Sequence, residues 1–544
     1  MQTNTNKSNP LNQLDRLNSI GVALSAEHDN KRLLETILLG AKELTNADGG
    51  TLYTVTEEGT LKFEILRTLS LDIAMGGTTG KPITFSPLPI YLEDGSPNTN
   101  MVAAYSVLNA ITVNIADAYL TEGFDFSGTR QFDEKMGYRS QSFLTVPMKN
   151  HENEMIGVLQ LINAIDPMTN QIIAFSESHQ RLVESLASQA AVALTNHHLI
   201  NGLKDLLESF IKLIADAIDE KSPYTGGHCQ RVPELTMMIA DAAIKTGTGP
   251  LKDFSMTEKE VYELKIAAWL HDCGKVTTPE YVMDKATKLE TIFDRIHLVD
   301  HRFELMEAQR ENVYLRKALL QARPGNVVNV KQVNHDINVI KKQLDDDKNF
   351  IRKINFGTEF MRPEDIQRIK DIGNYEYKND SGHTVKFLSE NEVYNLTIER
   401  GTLTPEERLV INNHIVVTIN MLEALPYPKD LRRIPEYAGG HHERMDGKGY
   451  PKGLTRDQMS IPARMMGVAD IFEALTSKDR PYKKAKTLSE TLAILGKMKL
   501  DNHIDPDIFD LFIREKIYLK YAEKFLEAQQ IDTIDENNIP GYQA

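Results

Sequence analysis

From residue 228 onward this 544-residue chain holds lone-pair donors at widely separated positions: His228, the adjacent pair His271 and Asp272, His414, the adjacent pair His441 and His442, and Asp470. Imidazole and carboxylate together suit a metal centre, and without a thiolate they suit iron or manganese, with zinc, nickel and cobalt also accommodated. A lone histidine in a helical domain is more often a hydrogen-bonded structural residue. Adjacent pairs are harder to account for that way. In "HHERMDGKGYPKGL" (441–454) the two histidines can share a target only where the backbone leaves helix, because helical neighbours point about 100° apart. Gly439 and Gly440 before them, and Asp446 to Gly449 after them, permit that departure. "AAWLHDCGKVTTP" (267–279) puts His271 and Asp272 at the end of an apolar helix, followed by Gly274 and Lys275. "MGVADIFEALTSKDRPYKKA" (466–485) raises Asp470 from an otherwise apolar face, where an unpaired carboxylate is costly. An ion pair would explain Asp470 alone; a metal explains it together with the five histidines. Cys229 and Cys273 adjoin candidate ligands, but without Cys-x-x-Cys spacing they read as small buried residues.

These residues need rigid elements to bring them together. Residues 29–46 show apolar positions at helical spacing behind a capping Asp29 or Asn30. Segments 51–68 and 142–164 each read as two strands about a polar turn. Helix, hairpin, variable middle, hairpin and helix make an α+β sensor-like domain over 29–198, an antiparallel sheet flanked by helices, after a flexible polar start at 1–28. Leu199, Leu203, Leu206, Phe210, Leu213 and Ala217 then step by four and three, a coiled-coil seam in a linker helix over 199–222. Such a stripe either packs on its own domain or joins two chains, and a homodimer through this helix is the expectation. Beyond Pro223 the pattern is all-α, over 223–284 and 401–520, with a C-terminal tail at 521–544. Between the two parts, 285–400 carries two long charged helical patterns separated by "RPGNVV" and followed by a polar, loop-rich stretch: an inserted helical hairpin.

The net charge of −15 offers no basic surface for a nucleic-acid polymer. No apolar run approaches the ~18 residues of a membrane span, and the N-terminus lacks the apolar core of a signal peptide. With only two cysteines there is no disulfide framework, so a cytoplasmic multidomain protein is expected.

In order, "GHCQRV" around His228, "HDCGK", "NNHIVV" around His414, "HHERMDGKGYPKGL", "VADIFEALTS" around Asp470 and "RPYKKA" resemble the successive motifs of the HD-GYP phosphodiesterases, a branch of the HD phosphohydrolases. The resemblance implies hydrolysis of a cyclic dinucleotide, foremost cyclic di-GMP, to linear pGpG or GMP at two or three divalent metal ions. It implies that His228, His271, Asp272 and Asp470 hold one ion, and that Asp272 bridges to a second held by His414, His441 and His442. Lys275 would stand beside the metals, Arg480 and Lys483 would grip substrate phosphates, and Gly449, Tyr450 and Pro451 would form the family loop. Two cations about 3.5–4 Å apart activate a water and stabilise the leaving oxygen of a phosphodiester. The sequence departs from the family in the long insertion, which makes His297 and His301 rivals of His414, and in lacking a clear third-metal acid, for which Asp219 and Glu220 are the nearby carboxylates. Another cyclic dinucleotide such as 3',3'-cGAMP, or a catalytically silent receptor with a GGDEF-domain partner, are the alternatives. More weakly, "NIADAY", "FDEKMGYRSQSFLTVPMKN" and "EMIGVLQLINA" are similar to GAF domains, which implies either a small-molecule regulatory site or a purely dimerising role.

Overall fold

The computed structural model describes residues 10–221, 226–322, 327–357, 360–477 and 485–543. It divides into two units, one ending at Leu206 and the other beginning at Leu207.

The first unit is built on an antiparallel sheet of strands β1 (Ala47–Val55), β2 (Thr60–Thr68), β3 (Ile73–Gly76), β4 (Leu88–Pro89), β5 (Val113–Ile115), β6 (Phe143–Lys149), β7 (Met155–Ile165) and β8 (Ile172–Ile173). The order is β3-β2-β1-β7-β6-β5, with β4 beside β2 and β8 beside β7. The alternation of a strand decides its faces. Leu52 and Leu159 point to a core made with Leu34, Ile37, Leu38 and Ala41 of the helix Asn30–Thr45 and with Val183, Leu186 and Ala190 of the helix Glu177–Lys221. Their neighbours Tyr53 and Val158 face Ile90, Ala103 and Val107 on the other side. Asp29 caps the first of those helices, its carboxylate accepting the Arg32 N–H.

Residues 10–26 depart from the flexible start expected for 1–28. They form the helix Pro10–Ala26, which buries Leu17, Ile20 and Leu24 in the first core at a spacing of three and four. The expected C-terminal tail is likewise packed: Tyr521, Ala522 and Ile539 are buried in the second unit's core, and Gln530 Nε2 donates to Thr476 O at 2.8 Å. Polar composition hid both segments, because a few well-spaced apolar residues suffice to dock a short element.

The second unit is helical. His228–Lys245, Glu258–Leu270, Ile434–Gly439, Ile461–Thr476 and Pro506–Arg514 share a core around Val232, Leu264, Tyr437, Met466, Phe472 and Phe509. Ile211, Ala215 and Ile218 of the helix Glu177–Lys221 join this core, while Leu199, Leu203, Leu206, Phe210 and Leu213 of that helix stay more than half exposed.

The insertion has a core of its own. Val299, Phe303 and Met306 of the helix Ile296–Gln321 pack with Leu344, Ile351 and Ile354 of Val330–Asn355. The loop-rich stretch expected next holds more order than its polarity implied: the helix Pro363–Gly373, a hairpin of β9 (Glu376–Lys378) and β10 (Thr384–Lys386), and the helix Glu390–Leu396. Arg302 pairs with Glu392 at 2.7 Å and Arg352 with Asp300 at 2.9 Å. At its root, the buried Lys288 donates to Leu396 O at 3.1 Å and Ile398 O at 2.7 Å, and burial pushes its ammonium down to about 8. Its folded value lies below its unfolded one, so the cost of burying the charge is felt in full below about pH 8 and is relieved as pH rises towards the unfolded value. The melting temperature of the native chain relative to Lys288→Met is therefore expected to climb between pH 8 and 10, and a flat difference would contradict this.

Candidate metal centre

Helix ends position the donors. A capping box of Thr257 and Glu260 starts Glu258–Leu270, and His271 follows that helix directly, so the following turn presents Asp272. A second box of Thr404 and Glu407 starts Pro405–Asn412, and His414 opens the next helix, His414–Glu423. Gly274 is what lets these two parts touch: an added Cβ there would lie 2.0 Å from His414 O, and its N–H donates to Thr418 Oγ1 at 2.9 Å. His441 and His442 come just after Ile434–Gly439, where the helix has ended as the glycines implied, and Asp470 sits on Ile461–Thr476.

Three histidines are aimed by one device. His271 Nδ1 bonds Ala268 O at 2.8 Å, His414 Nδ1 bonds Ile411 O at 2.6 Å and His441 Nδ1 bonds Ala438 O at 2.6 Å. A carbonyl only accepts, so each ring carries its proton on Nδ1 and turns the Nε2 lone pair inward. Those lone pairs face acceptors. His271 Nε2 is 3.2 Å from Asp272 Oδ2, and His414 Nε2 is 3.2 Å from Asp272 Oδ1 and 3.2 Å from His442 Nε2. His271 Nε2, Asp272 Oδ1 and His441 Nε2 are buried with no hydrogen-bond partner among the described residues. Lone pair facing lone pair in a buried site is unfavourable unless a cation stands between them.

Two groups of donors result, each with its ligand atoms within 4.8 Å of one another: His228, His271 and Asp272, and Asp272, His414, His441 and His442. Asp272 belongs to both through its two oxygens. Asp470 stands beside the first, its Oδ1 3.4 Å from His228 Nε2 and 3.9 Å from His271 Nε2. Burial, with the neighbouring His442 and His271, holds His441 well below the usual imidazole range, and burial pushes His442 down to about 4. Both are therefore neutral donors near pH 7. Burial opposes the charge on Asp272, but the Lys275 ammonium more than offsets it and holds the carboxyl well below the usual range; Lys275 Nζ is 2.5 Å from Asp272 Oδ2. The donor set fits divalent metal ions on both sides of Asp272.

The loop after the histidines is shaped by Glu443, whose oxygens accept the N–H of Lys452 at 2.7 Å and of Leu454 at 2.9 Å. Tyr450 stacks on His442, ring centroids 4.8 Å apart and planes 24° from parallel, and the Tyr450–Pro451 peptide is cis. Gly449 has no room for a side chain, since a Cβ would lie 2.4 Å from Arg444 N and 2.5 Å from Glu443 Cα. Gly449→Ala is expected to cost about 1–3 kcal/mol of stability through overpacking. Thermal melting measures it, and an unchanged melting temperature would refute the close approach.

His297 and His301, the rivals of His414, are exposed in the insertion, where His301 Nδ1 lies 3.3 Å from Glu304. Asp219 instead accepts the N–H of Gly227 at 3.0 Å and of Cys229 at 3.4 Å, capping the helix that His228 opens, and Glu220 is exposed. Cys229 and Cys273 are free and buried. Arg480 and Lys483 lie outside the described residues. Sequence patterning did not point to Glu473 or Arg231. Glu473, one turn after Asp470, contacts His228 Nδ1 and accepts Arg231 Nε–H at 2.7 Å. A second carboxylate at i+3 on an apolar helix face was the available signal.

Family models match two separate stretches of the chain. The GAF domain family matches residues 29–194, and the HD domain family matches residues 390–508. The chain carries a GAF domain and an HD domain. Among curated relatives, a probable cyclic di-GMP phosphodiesterase of Vibrio cholerae is 33% identical over 25% of this chain and 32% of its own length. A 3'3'-cGAMP-specific phosphodiesterase of the same organism is 40% identical over 21% of this chain and 26% of its own. A cyclic di-GMP phosphodiesterase of Pseudomonas aeruginosa is 47% identical over 14% of this chain and 17% of its own. The chain thus spans a third or less of the length of these relatives. Among the described residues, no helix of the HD or GAF domain is long and apolar enough to cross a membrane.

Proposed function

We propose that the chain is a metal-dependent phosphodiesterase that hydrolyses cyclic di-GMP to linear pGpG or GMP in its HD domain. The observation behind it is the inward-facing set of imidazole lone pairs around a shared carboxylate, Asp272. His228, His271, Asp272 and Asp470 would hold one divalent ion, and Asp272, His414, His441 and His442 a second, with iron or manganese best suited to nitrogen and oxygen donors without thiolate. Bound there, the ions supply a deprotonated water and charge neutralisation at the phosphodiester. The chain's own part is orientation. The carbonyl-anchored rings keep their Nε2 atoms aligned before substrate arrives, so little reorganisation remains at the moment of reaction. Lys275 holds a positive charge beside Asp272, where an anionic phosphate would approach, and Tyr450 buttresses the ring of His442.

The GAF domain would act as the sensor over 29–198, binding a small molecule, and the linker helix over 199–222 would pair two chains. The HD-GYP unit would comprise 223–284 and 401–520 around the insertion at 285–400, and the Gly449–Pro451 loop would offer a surface to a GGDEF-domain protein.

The test is metal analysis of anaerobically purified full-length protein, coupled to incubation with cyclic di-GMP and 3',3'-cGAMP and separation of products. Metal-dependent release of pGpG or GMP from cyclic di-GMP supports the proposal. Preference for 3',3'-cGAMP, which the 40% identical relative's name makes the second reading, would move the substrate without moving the chemistry. Tight binding without turnover across several metals would instead make the chain a receptor.

A further inference from the structure

We propose that Glu473 is the positioning residue for His228, acting through a carboxylate–imidazole contact that serves one of the two metal sites and not the other. The inference rests on the metal-centre reading above.

His271, His414 and His441 each find the Nδ1 acceptor they need in a carbonyl three residues earlier, because each stands at or just after the end of a helix or turn. His228, by contrast, opens its helix, after a Gly227 held at φ 83°. Its acceptor comes instead from another helix. Glu473, with a side chain only 1% exposed, contacts His228 Nδ1 through Oε2 and takes Arg231 Nε–H at 2.7 Å on Oε1. Arg231 lies on the same helix as His228 and is itself fixed, Nη1 donating to Gly226 O at 3.0 Å and Nη2 to Ser477 Oγ at 3.3 Å.

The consequence for His228 is twofold. Its ring is locked so that Nε2 points between Asp272 Oδ2 at 3.2 Å and Asp470 Oδ1 at 3.4 Å, where a cation would be shared by all three. A full negative charge behind the ring also makes Nε2 a stronger donor than a carbonyl dipole would. Because Glu473 follows Asp470 by three residues, one face of one helix supplies both a donor and the brace for the donor opposite it. Among the described residues the other group has no such brace: His414 and His441 rest on backbone carbonyls, and His442 on the ring of Tyr450. Loss of the Glu473 charge therefore weakens one ion and spares the other.

The experiment is a Mn2+ binding isotherm on the full chain stripped of metal, for the native protein, Glu473→Gln and Arg231→Met. The native chain is expected to take up two ions. Glu473→Gln is expected to weaken one of them by about 10–100-fold and leave the other unchanged, and Arg231→Met to weaken the same ion by less. Two unchanged affinities, or two affinities lowered equally, would overturn the proposal. If Glu473→Gln does not fold, Arg231→Met decides: an isotherm matching the native one overturns the assignment. Failure of the native chain to bind Mn2+ at all would overturn the metal-centre reading itself, and is distinct from either result.

Discussion

Asp272→Asn is expected to lower cyclic-dinucleotide turnover by about 10³-fold or more and to strip metal from both halves of the centre. Asp272 is the residue common to the two donor groups, 2% exposed, with Oδ2 towards His228 and His271 and Oδ1 towards His414 and His441. An amide keeps the shape but offers one oxygen and turns an N–H2 donor towards the other set of rings. One half of the centre then meets a donor where it needs an anion, and the ion that remains has lost a charged ligand. Metal content and kcat measured on the same preparation check this. A variant that retains the native metal content and turnover would show that Asp272 bridges nothing, and would leave its contact with Lys275 as a plain ion pair.

The second large effect is expected at the linker helix. On Glu177–Lys221, Ile211, Ala215 and Ile218 are buried while Leu199, Leu203, Leu206, Phe210 and Leu213 are exposed, so the stripe is not consumed by either of the two cores. Seam spacing of four and three is what a second copy of the same helix would bury. Glu at Leu206 and Phe210 would remove about 1.5–3 kcal/mol of apolar burial per side chain, counted twice in a symmetric pair. The double variant Leu206→Glu, Phe210→Glu is expected to raise the dimer dissociation constant by about 10³-fold or more, with circular dichroism unchanged. Sedimentation velocity reads it directly. A native chain that sediments as a monomer at micromolar concentration, or a variant that stays dimeric, would refute the stalk.

Much of the site and of the sheet is legible in the amino-acid pattern alone. The candidate donors stand out because two adjacent pairs and an acid on an apolar face have no cheap structural explanation, and the break after Gly439 follows from the glycines. The two hairpins of the sheet follow from period-two patterning about polar turns. Glu473 stays hidden because its partners, His228 and Arg231, are more than 240 residues away in sequence, so its place three residues after Asp470 gives no sign of what it meets. The order within 363–396 is invisible to patterning because short elements there are held by single residues such as Phe387 and by the Arg302–Glu392 pair, neither of which leaves a periodic trace. The docked terminal segments escape for a related reason: Leu17, Ile20 and Leu24 are three apolar residues in a polar run.

Gly274 and His414 touch in the folded chain, yet more than 140 residues separate Asp272 from His414 in sequence. Synthesised at about 5–20 residues per second, the HD dipeptide waits roughly 7–30 s for its partner to be made. The insertion, having a core of its own, emerges in that interval and can close first. Until His414 arrives, Asp272 meets His228, His271 and Lys275 but no donor of the second group, so the shared centre is among the last features of the molecule to exist.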